Sequence, residues 1–331
     1  MWEYYMSKAP KTTDGLMRHL RSKGIQIGGS IQKRKLMNMG YYHGYKGCRY
    51  IKTASNRIPF SSFDEVIAIY EFDSQLKSLF YPYIMQIETI LKNYVLETVV
   101  NSAKSDDFYN IYNTLLDNYK QYSPNDSKFK KELSIRLKVR DEIYKVQTER
   151  YKSDNAIAEH FLKRNRHLPI WAIFELLTLG QFGQFVTALN YTCRKDLSQK
   201  IGIPAVNDTS ATLCYNIIFA IKDLRNAIAH NSIVFDTRFK SGKIDRKLPT
   251  MIIRETGCQN VRFNTITDYL IFIIFLLKRF YFTKTEMKKI VCGFEEISEN
   301  FRGKISTSVF NQILHTDNRR KIAALKKFIS Q

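Results

Sequence analysis

Residues 61–100 read SSFDEVIAIYEFDSQLKSLFYPYIMQIETILKNYVLETVV, and the period of their apolar positions decides the fold class. Ile84, Leu91 and Val95 fall on one face at helical spacing, within a long 3.6-residue pattern. Pro82 has no backbone N–H to donate, so the pattern predicts an interruption there. On the C-terminal side, residues 101–130 turn polar and read as a connector. A charged helix is expected over 129–163. LPIWAIFELLTLGQFGQFVTALN (168–190) begins with Pro169 in a first-turn position and is apolar nearly all round, which predicts one central, buried helix. A further helix is expected over about 209–231 and another over 266–282, with 236–262 a loop with room for a short hairpin. On the N-terminal side, TTDGLMRHLRSKG (12–24) has a Thr/Asp start and a Gly24 stop, whereas the Gly- and Tyr-rich stretch 25–60 reads as irregular. No segment alternates apolar and polar residues as a half-buried strand would. The expected class is all-α, divided into an N-terminal extension (1–60), a helical core (61–290) and a basic helical C-terminal segment (291–331).

The chain has 331 residues, 44% of them hydrophobic, enough for one large core or two modest ones. Lys and Arg total 52 against 31 Asp and Glu, a net charge of +21 spread along the whole chain. Such a field attracts polyanions, of which nucleic acid and an anionic membrane are the obvious ones. A membrane span is not expected. The longest apolar run, Tyr269–Leu277, is nine residues closed by Lys278 and Arg279, where a span needs roughly 20. MWEYYMSKAPK lacks the basic start and apolar stretch of a secretion signal. Five scattered cysteines (Cys48, Cys193, Cys214, Cys258, Cys292) with no C-x-x-C pair suit reduced thiols in a cytoplasm. No metal site is expected, since His160 and His167 have no cysteine near them, and no cofactor is expected.

The chemistry concentrates in DLRNAIAHNS, residues 223–232. At 100° per residue, Ile217, Ile221, Leu224 and Ile228 fall within about 60° of one another as a core stripe. Asp223, Asn226 and His230 fall together on the opposite side, with Tyr215 and Phe219 extending that stripe. Asn226 and His230 are i,i+4, so the amide is placed to hydrogen-bond the imidazole and fix its tautomer. Histidine transfers protons near neutral pH, and Arg225 is a permanent cation whose fork matches phosphate. Together they suit metal-free RNA cleavage, in which one group helps the 2′-hydroxyl attack and the other stabilises developing charge. The residues alone leave other readings open. A helix-terminal histidine is stabilised by the dipole without doing chemistry; the pair suits phosphate binding without catalysis; and the motif helix suits an interaction module as a dimer surface.

Glu88 sits inside the apolar face of Ile84, Leu91 and Val95, so it needs a partner, for which Lys92 and Arg225 are the candidates. Glu175 in WAIFELL raises the same question. For both, an ion pair that merely links helices is the alternative to a place in the site. GYYHGYKGCRYIK (40–52) mixes tyrosines with His43, Lys46, Arg49 and Lys52, a composition that stacks bases and contacts phosphates, or else pins the segment to the core. Arg319 and Arg320 begin a basic amphipathic tail that suits RNA backbone or plain solvent.

RNAIAHN resembles the R-N-x-x-x-H signature of the HEPN ribonuclease superfamily, and the surrounding chain resembles the Abi-like (AbiD/AbiF-type) abortive-infection proteins. The resemblance runs in order through LRSKGIQI and LMNMGYYHGYKG, FDEVIAIYEFDSQLKSLF and IMQIETILKNYV, LPIWAIFELLTLGQFGQF, and RNAIAHNSIVFDTRF. It implies an all-α, HEPN-like helical bundle acting as an endoribonuclease, with Arg225 and His230 as the nuclease pair and Asn226 orienting them. It further implies a toxin of phage defence and a structured noncoding RNA as antitoxin. Many relatives carry a cation shortly after the motif histidine; here Ile233 holds that place, leaving Arg238 or Lys240 to replace it. On an ideal helix Arg225 and His230 point about 140° apart. The site is therefore expected to be composite, completed by a second copy in a homodimer or higher oligomer.

Overall fold

The computed structural model describes residues 11–331, apart from the side chains of Tyr42 and His43. The N-terminal decapeptide, read above as part of a stretch without a secretion signal, and the His43 side chain lie outside the described residues. Every regular element among the described residues is helical, and β pairing is limited to three isolated bridges.

The N-terminal part holds α1 (Thr13–Arg21), α2 (Gly29–Met39) and a π-helical turn, Gly40–Lys46. Residues 25–60 are thus more ordered than their composition predicts. Gly29 (φ +70°) and Gly40 (φ +71°) punctuate the two ends of a helix that buries Leu36 and Met39. The decisive segment forms one continuous helix, α3 (Phe63–Ala103), 41 residues long and about 60 Å from end to end. The expected break at Pro82 is absent. Pro82 and Ser78, whose carbonyl loses its partner, both lie on the solvent side of the helix, so the lost bond falls where no buried polar group is created.

Three expectations downstream also need correction. Residues 101–130 contain α4 (Phe108–Thr114), started by Asp107 Oδ2 accepting from Asn110 N at 2.8 Å; its buried Phe108, Ile111 and Tyr112 are hidden by a polar composition. The charged helix is two: α5 (Ser127–Lys152) stops at Asp154 (φ +53°), and Asn155 caps α6 (Ala156–Leu162). The single buried helix over 168–190 is also two, α7 (Ile170–Leu176) and α8 (Leu179–Ala188). Leu177 is extended, and Thr178 with Gln181 forms a capping box that starts a new helix. Each half buries its own face, so together they look apolar all round, yet Trp171 and Glu175 point outward.

Next come α9 (Tyr191–Lys200) and the motif helix α10 (Leu213–Ala229). Residues 236–262 hold α11 (Lys247–Thr256), closed by Gly257 in the left-handed region, in place of a loop or hairpin. The chain closes with α12 (Ile266–Arg279), α13 (Lys284–Arg302), α14 (Thr307–Leu314) and α15 (Asn318–Ser330); α13 runs across residue 290. Every residue from Ile266 to Leu277 is buried, because α3, α11, α13 and α15 surround α12. No helix among the described residues is long and apolar enough to cross a membrane.

Helix α3 is the shared spine, packing on α9 and α10 along one side and on α12 and α13 along another. Phe72 stacks on Phe301 at 4.2 Å. Lys321 of α15 is buried against Asp268 of α12 at 2.8 Å, a charge pair that fixes the C-terminal helix to the core. Four of the five thiols are buried, and desolvation pushes Cys193 up to about 11 and Cys214 up to about 12; Cys292 alone is exposed.

Candidate functional site

The motif helix ends in a Schellman arrangement. Ser232 N donates to Ala227 O at 2.7 Å and Asn231 N to Ile228 O at 3.1 Å, with Asn231 left-handed at φ +51°. His230 is the residue that caps the helix, and its side chain is exposed. Asparagine tolerates the left-handed region better than most side chains, which is why the chain turns here.

Helix α3 holds this turn. Asp73, 2% exposed, accepts from Val234 N at 2.7 Å and Phe235 N at 2.9 Å. Its other oxygen pairs with Lys77 at 2.7 Å, and Lys77 also donates to Asn231 Oδ1 at 2.8 Å. One helical turn of α3 thus fixes the chain that follows His230 at two places, Asn231 and Val234–Phe235. Neither Asp73 nor Lys77 was among the sequence candidates. The signal was an aspartate in the apolar face of Ile69, Leu76 and Phe80, with a lysine four residues on.

About three turns beyond Lys77 along α3, Glu88 is buried, as its position among apolar residues requires, and it takes both expected partners. Arg225 Nε donates to Glu88 Oε2 at 2.8 Å, and Lys92 lies 3.3 Å from Glu88 Oε1. Arg225 Nη1 reaches Asn226 Oδ1 at 3.3 Å. Asn226 therefore engages Arg225, and among the described residues no hydrogen bond joins its side chain to His230.

Beside the helix end lies a cleft of about 720 Å³. Asp223, Asn226 and His230 line it from α10, as the helical arithmetic placed them, and Lys222 lies beside them. Lys46 and Arg49 face it from the tyrosine-rich segment, whose Tyr45, Cys48 and Ile51 are buried, so that segment both pins itself to the core and presents cations. Lys46 and Arg49 have no carboxylate partner among the described residues. Asp223 pairs with Lys222 at 3.0 Å and accepts from Ser241 N and Oγ. Arg225 does not line the cleft; it flanks it through Asn226.

Arg238 lines the cleft, but its guanidinium is committed. It pairs with Asp236 at 2.6 Å, donates to Gly47 O (3.0 Å) and Tyr50 O (2.6 Å), and lies 4.0 Å over the Tyr50 ring. Asp236, 1% exposed, also accepts from Lys52 N at 2.6 Å. This clamp ties segment 47–52 to the loop after the motif. Lys240 instead donates to Phe263 O and Asn264 Oδ1, its pKa lowered by burial and then by Lys52. Lys52 is exposed and does not line the cleft. Glu175 is exposed on α7 and pairs with nothing in the site, so the buried-carboxylate reading does not hold for it. Arg319 and Arg320 lie on α15, away from the cleft, with Arg319 paired to Glu299 at 3.1 Å. Tyr215 does not reach the cleft. It is half-buried with Arg194 5.8 Å from its ring, and burial pushes its hydroxyl up to about 12. Among the described residues no group of three or more His, Cys, Asp or Glu is placed to hold a metal ion.

The sequence model of the family described as "Abi-like protein" matches residues 34–236. That span begins in α2 and ends at Asp236, so it takes in the motif, the α3 residues that hold it, and Lys46, Arg49 and Lys222 of the cleft. No curated protein and no solved structure matches the chain.

Proposed function

This chain belongs to the Abi-like protein family, and from that premise we propose that it is a HEPN-type toxin of abortive infection, cleaving cytoplasmic RNA without a metal ion. The observation that carries this reading is the exposed His230, held on a doubly anchored helix end at the rim of a cleft lined by Lys46, Arg49 and Lys222.

The cations bind the RNA backbone and bring a phosphate to the imidazole. His230 in its neutral form takes the proton of a 2′-hydroxyl, whose oxygen attacks the adjacent phosphorus. Arg225 and the cleft lysines stabilise the charge that develops on the phosphoryl oxygens. The P–O5′ bond breaks, the leaving oxygen gains a proton, and the products carry a 2′,3′-cyclic phosphate and a 5′-hydroxyl. Arg225 flanks the cleft of its own chain, bound to Glu88, so the complete site draws on a second copy across a two-fold axis. A structured noncoding RNA covering the cleft or separating the copies would hold the toxin inactive.

One observation favours a second reading. Because Arg225 is already engaged by Glu88, the cleft also suits an RNA-binding protein that grips phosphate without cleaving it. Incubating RNA in EDTA with the wild type, His230→Ala and Arg225→Ala separates the two. The nuclease reading expects cleavage with cyclic-phosphate ends by the wild type and none by either variant. Equal cleavage by His230→Ala, or none by the wild type, overturns it.

A further inference from the structure

The basic cleft does not end at α10. Asp223 and Ser241 continue from it into a neighbouring groove, and Phe219, Gln184 and Lys222 pass from that groove into a narrow slot between α5 and α8. Lys222 lines all three, so the three hollows adjoin one another around this side chain. The slot is about 290 Å³, at the small end for ligand pockets. Its floor is apolar, formed by Val139, Ile143 and Leu177, and Phe219 supplies a half-buried ring with the Lys222 ammonium 5.7 Å from its centroid. That ring rests on the bare Cα of Gly183; a Cβ there would come within 2.8 Å of it.

Two polar groups in the slot have hydrogen-bonding capacity to spare. Glu142 accepts from Gln181 Nε2 at 2.9 Å through Oε2, and among the described residues its Oε1 has no hydrogen bond and no cation. The Gln184 amide likewise has no hydrogen-bond partner among the described residues. An apolar slot lined also by an aromatic ring, a carboxylate oxygen, an amide and the two lysines Lys138 and Lys222 matches the parts of one nucleotide.

We infer that this slot is a base-recognition subsite, holding one base of the RNA strand whose backbone follows Lys222 into the cleft beside His230. The inference rests on the proposal that the cleft takes RNA. It names the base class as well. Glu142 Oε1 accepts from an exocyclic amino group, so cytosine is preferred to uracil, which is the same size but presents a carbonyl there. Substitution of Glu142 by glutamine reverses the code. Gln181 still donates to the one remaining side-chain oxygen, which turns the new NH₂ into the slot to favour the uracil carbonyl.

The test uses 2′-O-methyl oligonucleotides, which lack the attacking hydroxyl, so binding is read without cleavage. Oligo-C, oligo-U and an abasic oligomer of the same length are titrated against the wild type, Glu142→Gln and Phe219→Leu. The wild type should bind oligo-C about tenfold tighter than oligo-U, in line with one base-edge contact, and both tighter than the abasic strand. Glu142→Gln should invert the C-over-U order, and Phe219→Leu should weaken both base-bearing strands toward the abasic one. Equal wild-type binding of base-bearing and abasic strands overturns the subsite, as does unchanged C-over-U preference in a folded Glu142→Gln protein. Base-dependent binding by a protein that cleaves no natural RNA refutes the nuclease reading and leaves the subsite standing.

Discussion

Asn231 sits at φ +51° immediately after His230 and accepts from Lys77. Asn231→Gly keeps the turn and loses only the side-chain bond, whereas Asn231→Ala adds the left-handed penalty of about 1–2 kcal/mol. Thermal unfolding should therefore rank wild type, then glycine, then alanine; alanine at or above glycine would show that the turn does not depend on that conformation. Glu88 offers a second measurement. It is buried between Arg225 and Lys92, so Glu88→Ala should destabilise by about 3 kcal/mol, the low end for breaking a buried pair because Arg225 is partly exposed. An unchanged denaturant midpoint would contradict the burial. Glu88 was legible in the sequence because a carboxylate in an apolar face has to find a cation, and helical spacing named both cations. The Asn226–His230 contact was misread for a related reason. Spacing permits several partners, and the neighbouring guanidinium engages the amide that the spacing placed for the imidazole.

Whole helices were legible where one face is apolar and long, as in α3 and α12; their ends and breaks were not. Breaks at 153–155 and 177–178 are made by single capping side chains, Asn155 and Thr178, and such signals are faint beside the periodicity that continues across them. Pro82 misled in the opposite direction, since a proline on a solvent-facing turn lets the helix continue. It still removes one backbone hydrogen bond. Pro82→Ala should raise stability by about 1–3 kcal/mol, within the cost of an interior helical proline. A lower melting temperature for that variant would mean that the proline contributes more to α3 than its lost hydrogen bond costs. The continuity of α3 matters to the site because Asp73, Lys77, Glu88 and Lys92 all lie on it, on both sides of Pro82.

Across the whole molecule the +21 charge gives the proposed RNA binding a measurable dependence on salt. Lys46, Arg49 and Lys222 are the cleft cations best placed for phosphate. Three to four single-strand contacts give a slope of about −2 to −3 in log affinity against log salt, and Lys46→Ala should flatten it by about 0.7. A salt-independent affinity would remove phosphate as the dominant contact. The charge and the helical class were evident from composition and periodicity. The cleft was not, because it joins residues 46–50 to residues 222–241, and no local pattern encodes a contact of that range.

That same range has a consequence for the cell that makes the protein. The clamp from Arg238 to Gly47 spans 191 residues, and one wall of the cleft comes from the early segment that it fastens. While the chain is still emerging from the ribosome, Lys46 and Arg49 are out long before Asp236 and Arg238 exist to fasten them. The assembled cleft therefore appears only once residues 222–241 have been made and have left the ribosome, and cleavage of the kind proposed would be withheld from the ribosome and its message until then.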